Sequence, residues 1–234
     1  MKSGAAAGLA ELAEEVHGCF RCPRLVAWRE AEAAAPPKRF RGQDYWARPV
    51  SGFGDPAARI VIVGLAPAAH GANRTGRMFT GDRSGEWLYA ALHRAGLANQ
   101  PTWERADDGL RLRDAYITSV VKCAPPANKP TVEERDNCLP YLERELELLD
   151  RARVVVALGK FGWDGFLAAA RSIGVETPRP KPQFGHGAEA ALGERFTLLG
   201  CFHPSQQNTF TGKLTVPMID AVFGRAVELA GTTR

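Results

Sequence analysis

No apolar run in this 234-residue chain is long enough to cross a bilayer; stretches such as RVVVALG stop after a handful of residues. The N-terminal segment is not expected to be a secretory leader. The N-terminal MKSGAAAGLAELAEEVHG is alanine-rich, but Glu11, Glu14 and Glu15 interrupt it, and Leu9, Leu12, Ala13 and Val16 fall on one face of an amphipathic helix. Neither the Walker pattern nor G-x-G-x-x-G occurs, which removes the two commonest phosphate-cradling loops. Charge is not strongly one-signed: the net value of +4 permits an anionic partner such as DNA without requiring one. With 45% hydrophobic and 24% charged residues, the chain has the composition of a globular protein with a substantial core. A cytoplasmic address and no membrane partner are expected, and there thiols stay reduced.

Cysteine is sparse, and its placement is informative. Four of the five cysteines form two pairs: Cys19 and Cys22 as C-x-x-C, and Cys123 and Cys138 in KCAPPANKPTVEERDNC. A structural zinc usually takes two tight knuckles. Here fourteen residues separate the second pair, which makes no knuckle. An iron–sulfur cluster takes four cysteines and accepts such scattered spacing. The spacing therefore favours iron–sulfur, with zinc and unligated buried thiols left open. Cys201, in FTLLGCF, reads as a small buried hydrophobe in a strand.

Four short, apolar, mostly β-branched segments read as buried parallel strands: Arg59–Leu65, Ala115–Val121, Arg153–Leu158 and Phe196–Phe202. A helical pattern follows each, over Ser84–Ala95, Thr131–Leu149, Lys160–Ile173 and Thr215–Ala230. The second opens with a capping box at Thr131 and Glu134, and Pro140 is expected to kink or break it. The alternation predicts an α/β fold: a three-layer α/β/α sandwich around a central four-stranded, mostly parallel sheet. One domain over 1–234 is expected, with the N-terminal arm (about 1–56) tied to the body through the cysteines. Long loops follow three strands, at Ala66–Arg83, Lys122–Pro130 and His203–Leu214, where an open α/β sheet places its ligands. Pro36–Pro56 forms a further aromatic and basic loop.

The first of these loops lies in GLAPAAHGANRTGRMFTGD, Gly64 to Asp82, and the last begins HPSQQNTFTGKLT at His203. The first resembles motif I, and the second motif II, of the family 5 uracil-DNA glycosylases, the UDGb group. CPRLVAWRE, YWARPVSGFGDP and KCAPPANKPT are also similar to that group, so the likeness spans nearly the whole chain. It implies a DNA repair enzyme that hydrolyses the N-glycosidic bond of uracil, and of other deaminated or damaged bases, leaving an abasic site. It also implies a 4Fe-4S cluster on Cys19, Cys22, Cys123 and Cys138. Related members carry an acidic or amide residue in G-E-A-P. This chain has Leu65 and Ala66 there, which removes the usual water-activating side chain.

Uracil in a duplex must be flipped into a pocket before its bond can be reached. Cleavage then builds negative charge on the base and positive charge on the sugar. Given the resemblance, His203 is expected to stabilise the anion by donating to uracil O2, although a histidine capping a strand end would look the same in sequence. Asp82, the only carboxylate in the motif I loop, is expected to favour the sugar cation and orient water; its other reading is a helix N-cap. Asn128 is expected to read the base edge, with an ordinary turn asparagine as the alternative. Phe79 is the stacking candidate. Gly64, Leu65, Ala66, Ala68 and Asn208 complete the expected binding set. Arg39, Arg41, Arg74, Arg77, Lys129 and Lys213 are candidates for phosphate contacts, and Gln206–Phe210 for a wedge into the base stack. His70 and His186 lie in or near the site loops without an assigned role. A monomer is expected. The competing functions are a non-catalytic iron–sulfur nucleic-acid binding module of the same fold, and a zinc hydrolase of nucleotides or phosphoesters, for which no His/Asp metal centre is evident in the sequence.

Overall fold

The structure, a computed structural model, describes residues 2–231. A six-stranded sheet forms its centre, in spatial order β1-β3-β2-β4-β6-β5. Strands β2 (Ile60–Gly64), β3 (Ala115–Ser119), β4 (Val154–Leu158) and β6 (Phe196–Cys201) pair in parallel. These are the four apolar runs of the sequence. Two antiparallel edge strands, β1 (Phe53–Gly54) and β5 (Glu189–Leu192), bring the sheet to six rather than the four expected. Their signals are faint for physical reasons. β1 has two residues, and β5 is largely exposed, so neither carries a long buried run.

Because side chains alternate along a strand, each central strand feeds two cores. Val61 and Val63 of β2 face one way, with Val155 and Ala157 of β4, beneath helices α1 (Lys2–His17), α2 (Pro23–Ala34), α5 (Val132–Leu148) and α6 (Lys160–Ser172). Ile60 and Ile62 face the other way, with Val154 and Val156, beneath α4 (Arg83–Arg94) and α8 (Val216–Ala230). Helices therefore cover both faces in three layers. Full burial of each such valine or isoleucine contributes about 1.5–3 kcal/mol.

Helix α5 starts at the capping box: Glu134 N–H donates to Thr131 Oγ1 at 3.1 Å, and Thr131 N–H donates back to Glu134 Oε2 at 2.8 Å. Of the kink or break expected at Pro140, no break occurs: the helix runs on through it. Beside it lies a buried polar knot. Lys122 Nζ donates to Glu145 Oε2 (2.7 Å) and Thr118 Oγ1 (2.5 Å), and the Thr118 hydroxyl donates to Glu145 Oε2 (2.6 Å). This pins the segment after β3 to α5. Two short helices, α3 (Ala72–Thr75) and α7 (Gln206–Phe210), lie within the loops that follow β2 and β6. Among the described residues, no helix is long and apolar enough to cross a membrane.

Candidate active site

The loops leaving the carboxyl ends of β2, β3 and β6 meet over one edge of the sheet. They enclose a cavity of about 400 Å³ bordered by Leu65, Ala66, Ala68, Phe79, Asp82, Asn128 and His203. A second cleft of about 610 Å³ adjoins it and shares Ala68, Asp82, Asn128 and Gln206. The segments that looked chemical in sequence thus converge. Gly64 and Asn208 stand behind the cavity rather than in its lining. A Cβ on Gly64 would lie 3.1 Å from the Phe79 ring, so this glycine lets the ring close down on the strand end. Asn208 Nδ2 donates to the His203 carbonyl at 2.9 Å and holds that loop.

Asp82 does what a capping residue does: its Oδ1 accepts from Gly85 N–H at 3.1 Å at the start of α4. It also borders the cavity, so capping does not take it out of the hollow. Its other oxygen lies so close to Gly71 that an added Cβ there would approach it to 2.5 Å. Burial raises the Asp82 carboxyl above its ordinary range, against the lowering effect of the backbone N–H groups of Gly85 and Ser84. His203 has its centroid 5.9 Å from that of Phe79, the rings tilted by 31°. Burial pushes its imidazole down to about 4, so the ring is neutral near pH 7 and carries one N–H donor. Among the described residues, five non-glycine positions have positive φ, and Phe79, Ala127 and Asn128 are three of them. Such backbone is costly for residues with a Cβ, and it concentrates here at the cavity.

The basic residues divide. Arg77 is buried and forked onto Asp108, with both bonds at 2.8 Å, so it braces the first loop and is not free for phosphate. Arg74 is similarly spent on the carbonyls of His70 and Gly81. Arg39, Arg41, Lys129 and Lys213 are exposed. Arg83, which the sequence did not single out, borders both hollows and stacks over the exposed Phe210 ring at 4.4 Å. Only its position just after Asp82 could have pointed to it. His70 joins Tyr45 Oη (3.0 Å) and Glu32 (3.1 Å) at the rim of the larger cleft. His186 lies outside the cavity lining; its Nδ1 accepts the Phe202 N–H at 3.2 Å and supports the end of β6 from behind.

Cys19 and Cys22 pack against the same core as the buried Cys123 and Cys138. They are mutually close enough that Cys19 and Cys22 act electrostatically on Cys123, and Cys19 and Cys123 on Cys138. N–H donors point at three of the sulfurs: Arg29 Nη1 to Cys123 (3.1 Å), the Lys122 backbone N–H to Cys138 (3.2 Å) and Asn137 Nδ2 to Cys22 (3.7 Å). Four soft sulfurs with N–H donors around them fit an iron–sulfur group. No set of three or more His, Cys, Asp or Glu among the described residues is arranged to clasp a single metal ion. Cys201 is fully buried in the opposite core, away from this group.

A three-layer α/β/α sandwich with a histidine and a carboxylate lining one strand-end cavity is the architecture of an α/β enzyme with its site at the carboxyl ends of the strands. The sequence model of the uracil DNA glycosylase superfamily matches residues 51–225, and the chain belongs to that superfamily. Within it, the similarity runs to the type-5 group. The type-5 uracil-DNA glycosylase of Mycobacterium tuberculosis is 54% identical over 98% of this chain and 84% of its own length. That of Thermus thermophilus is 51% identical over 91% of this chain and 94% of its own. A type-4 enzyme from Pyrobaculum aerophilum is more distant, at 34% identity over 64% of this chain and 60% of its own.

Proposed function

We infer that this chain is a DNA repair glycosylase that hydrolyses the N-glycosidic bond of uracil in DNA and leaves an abasic site. The observation that carries the reading is the shared cavity: Asp82 and His203, more than a hundred residues apart in sequence, border one hollow of about 400 Å³. A hollow of this size, lined on one side by Leu65, Ala66 and Ala68, suits a flipped base and selects weakly by polar contacts. Hypoxanthine and other deaminated bases therefore belong among its substrates.

His203, neutral at working pH, donates its N–H to uracil O2 as charge builds there. One such donor in a dry site is worth about 3–4 kcal/mol. Asp82, ionised, sits where the sugar becomes cationic; it stabilises that charge and orients the attacking water. Asn128 offers its side-chain amide to the base edge, and Phe79 offers a ring face. Arg39, Arg41, Arg83, Lys129 and Lys213 supply the exposed cations for DNA phosphates. Gln206–Phe210, with Gln206 bordering both hollows and the exposed Phe210 ring beneath Arg83, fills the gap a flipped base leaves.

Cys19, Cys22, Cys123 and Cys138 would hold a 4Fe-4S cluster. When bound, that group supplies a cross-link between the N-terminal arm and the body, making one domain of the whole chain, and hydrolysis itself transfers no electron. The enzyme works as a monomer. The test is an oligonucleotide with one labelled uracil, incubated with protein and then treated with alkali. Strand scission at the uracil is expected. Binding without scission would favour a non-catalytic module of the same fold.

A further inference from the structure

Arg29, on α2, is fully buried, yet none of its contacts is with a carboxylate. Its Nη1 donates to Cys123 Sγ at 3.1 Å and to the Cys19 carbonyl at 3.4 Å, its guanidinium lies 5.0 Å from the Phe20 ring centroid, and its Nε has no partner. A guanidinium cannot shed its proton, and a buried charge without a counter-charge is strongly unfavourable. The missing anion must come from the sulfur side. At its backbone, the same residue holds the first site loop. The Arg29 carbonyl accepts from Asn73 Nδ2 at 3.2 Å, and that amide also donates to the Ala69 carbonyl at 3.2 Å. Asn73 is itself fully buried. One turn further along α2, Glu32 pairs with His70 of the same loop at 3.1 Å.

We propose that Arg29 is a positioning residue: it is the counter-ion of the cysteine-bound cluster, and through Asn73 it couples occupancy of that cluster to the loop carrying Asp82. The proposal rests on the four cysteines holding a cluster. With the anionic group in place, Arg29 is neutralised and α2 lies firmly on the loop. Without it, the buried cation has no counter-charge, and the loop loses its support on that side. Cluster loss is thereby transmitted to the catalytic carboxylate through α2, as well as to the Asn128 segment that Cys123 precedes.

Three measurements on the full chain separate the possibilities. Iron and sulfide content with visible absorbance of the wild type tests the cluster itself; a protein purified without oxygen that carries neither sinks the cluster reading, whatever Arg29 does. On cluster-bearing protein, voltammetry compares Arg29→Met and Arg29→Lys with wild type. Removing the positive charge is expected to make the cluster harder to reduce, so Arg29→Met should have the more negative potential, with Arg29→Lys close to wild type. Hydrogen–deuterium exchange over residues 66–83 is expected to be ~10-fold faster in Arg29→Met, because α2, no longer fastened through the side chain to Cys123, holds its residue-29 carbonyl less firmly against Asn73 Nδ2. A colourless Arg29→Met beside a coloured Arg29→Lys of native potential also supports the counter-ion role. Wild-type potential and wild-type exchange in a coloured Arg29→Met overturn it, and so does loss of colour in both variants, which would make Arg29 a packing residue.

Discussion

At the scale of single residues, the cavity assigns opposite electrostatic needs to two neighbours. Burial raises the carboxyl of Asp82 and lowers the imidazole of His203 to about 4. Both shifts disfavour the charged form, but the proposed chemistry wants charge on only one of them. Replacing either Asp82 or His203 by alanine should lower the single-turnover rate at least about tenfold, since each removes a group acting in the transition state. DNA affinity, which rests on the phosphate contacts, should stay nearly intact in a gel-shift titration. Wild-type rates in either variant would remove that residue from the mechanism. The pH profile separates the two roles. In the proposed chemistry Asp82 works ionised, so activity should fall as pH drops through its raised pKa, above the ordinary aspartate value of about 3.9. His203 is already neutral well above pH 4 and contributes no limb between about pH 5 and 8. Single-turnover rates followed downward in pH should show one acid limb, lying above the ordinary aspartate range and absent from the residual activity of Asp82→Asn.

At the scale of elements, helix starts and loop anchors hold these groups in place. Glu134 closes the capping box of α5 and also accepts a two-pronged bond from Arg24 of α2, at 2.7 and 2.6 Å. The box thus fastens α2, with Cys22 at its N-cap, to α5, which carries Cys138 within it. Thr131→Ala removes the cap, worth about 1 kcal/mol. For a chain of this size that should lower the melting temperature by about 2–4 °C in calorimetry, and an unchanged melting curve would mean the cap contributes nothing here. This box was legible in sequence because its four-residue spacing is set by the helix itself. The four parallel strands were legible because burial on both faces makes each a continuous apolar run. β5 was not, because only Leu192 of its four residues is buried. Pro140 does not break α5 because a helix packed along its length tolerates one missing hydrogen bond. The roles of Arg74 and Arg77 were hidden too. Whether a basic residue in a site loop faces DNA or an interior carbonyl depends on tertiary contacts that local sequence does not encode, and Arg83 was passed over for the same reason.

At the scale of the whole molecule, the site is assembled from segments that have no local reason to meet. The first loop leans on α2 through Arg29 and Asn73. The segment carrying Asn128 leaves β3 between Lys122, bonded to Glu145, and Cys123. His203 follows β6, on the far side of β4 from both. The sheet alone brings the strand ends together, but the arm formed by α1 and α2 must still be held against α5. Burial of Leu9, Leu12, Val16 and Leu25 supplies part of that hold, and the proposed cluster the rest. A metal-thiolate tie between distant segments stabilises the fold directly, because the unfolded chain has no preformed site for it. Cys123→Ser should therefore bleach the visible absorbance, release iron and lower the melting temperature together. A colourless Cys123→Ser with a wild-type melting curve would separate the cluster from stability and leave the arm held by its apolar contacts alone. If colour and melting fall together while the Lys122–Glu145 pair is intact, the cluster is the element that closes the N-terminal arm over the catalytic edge of the sheet.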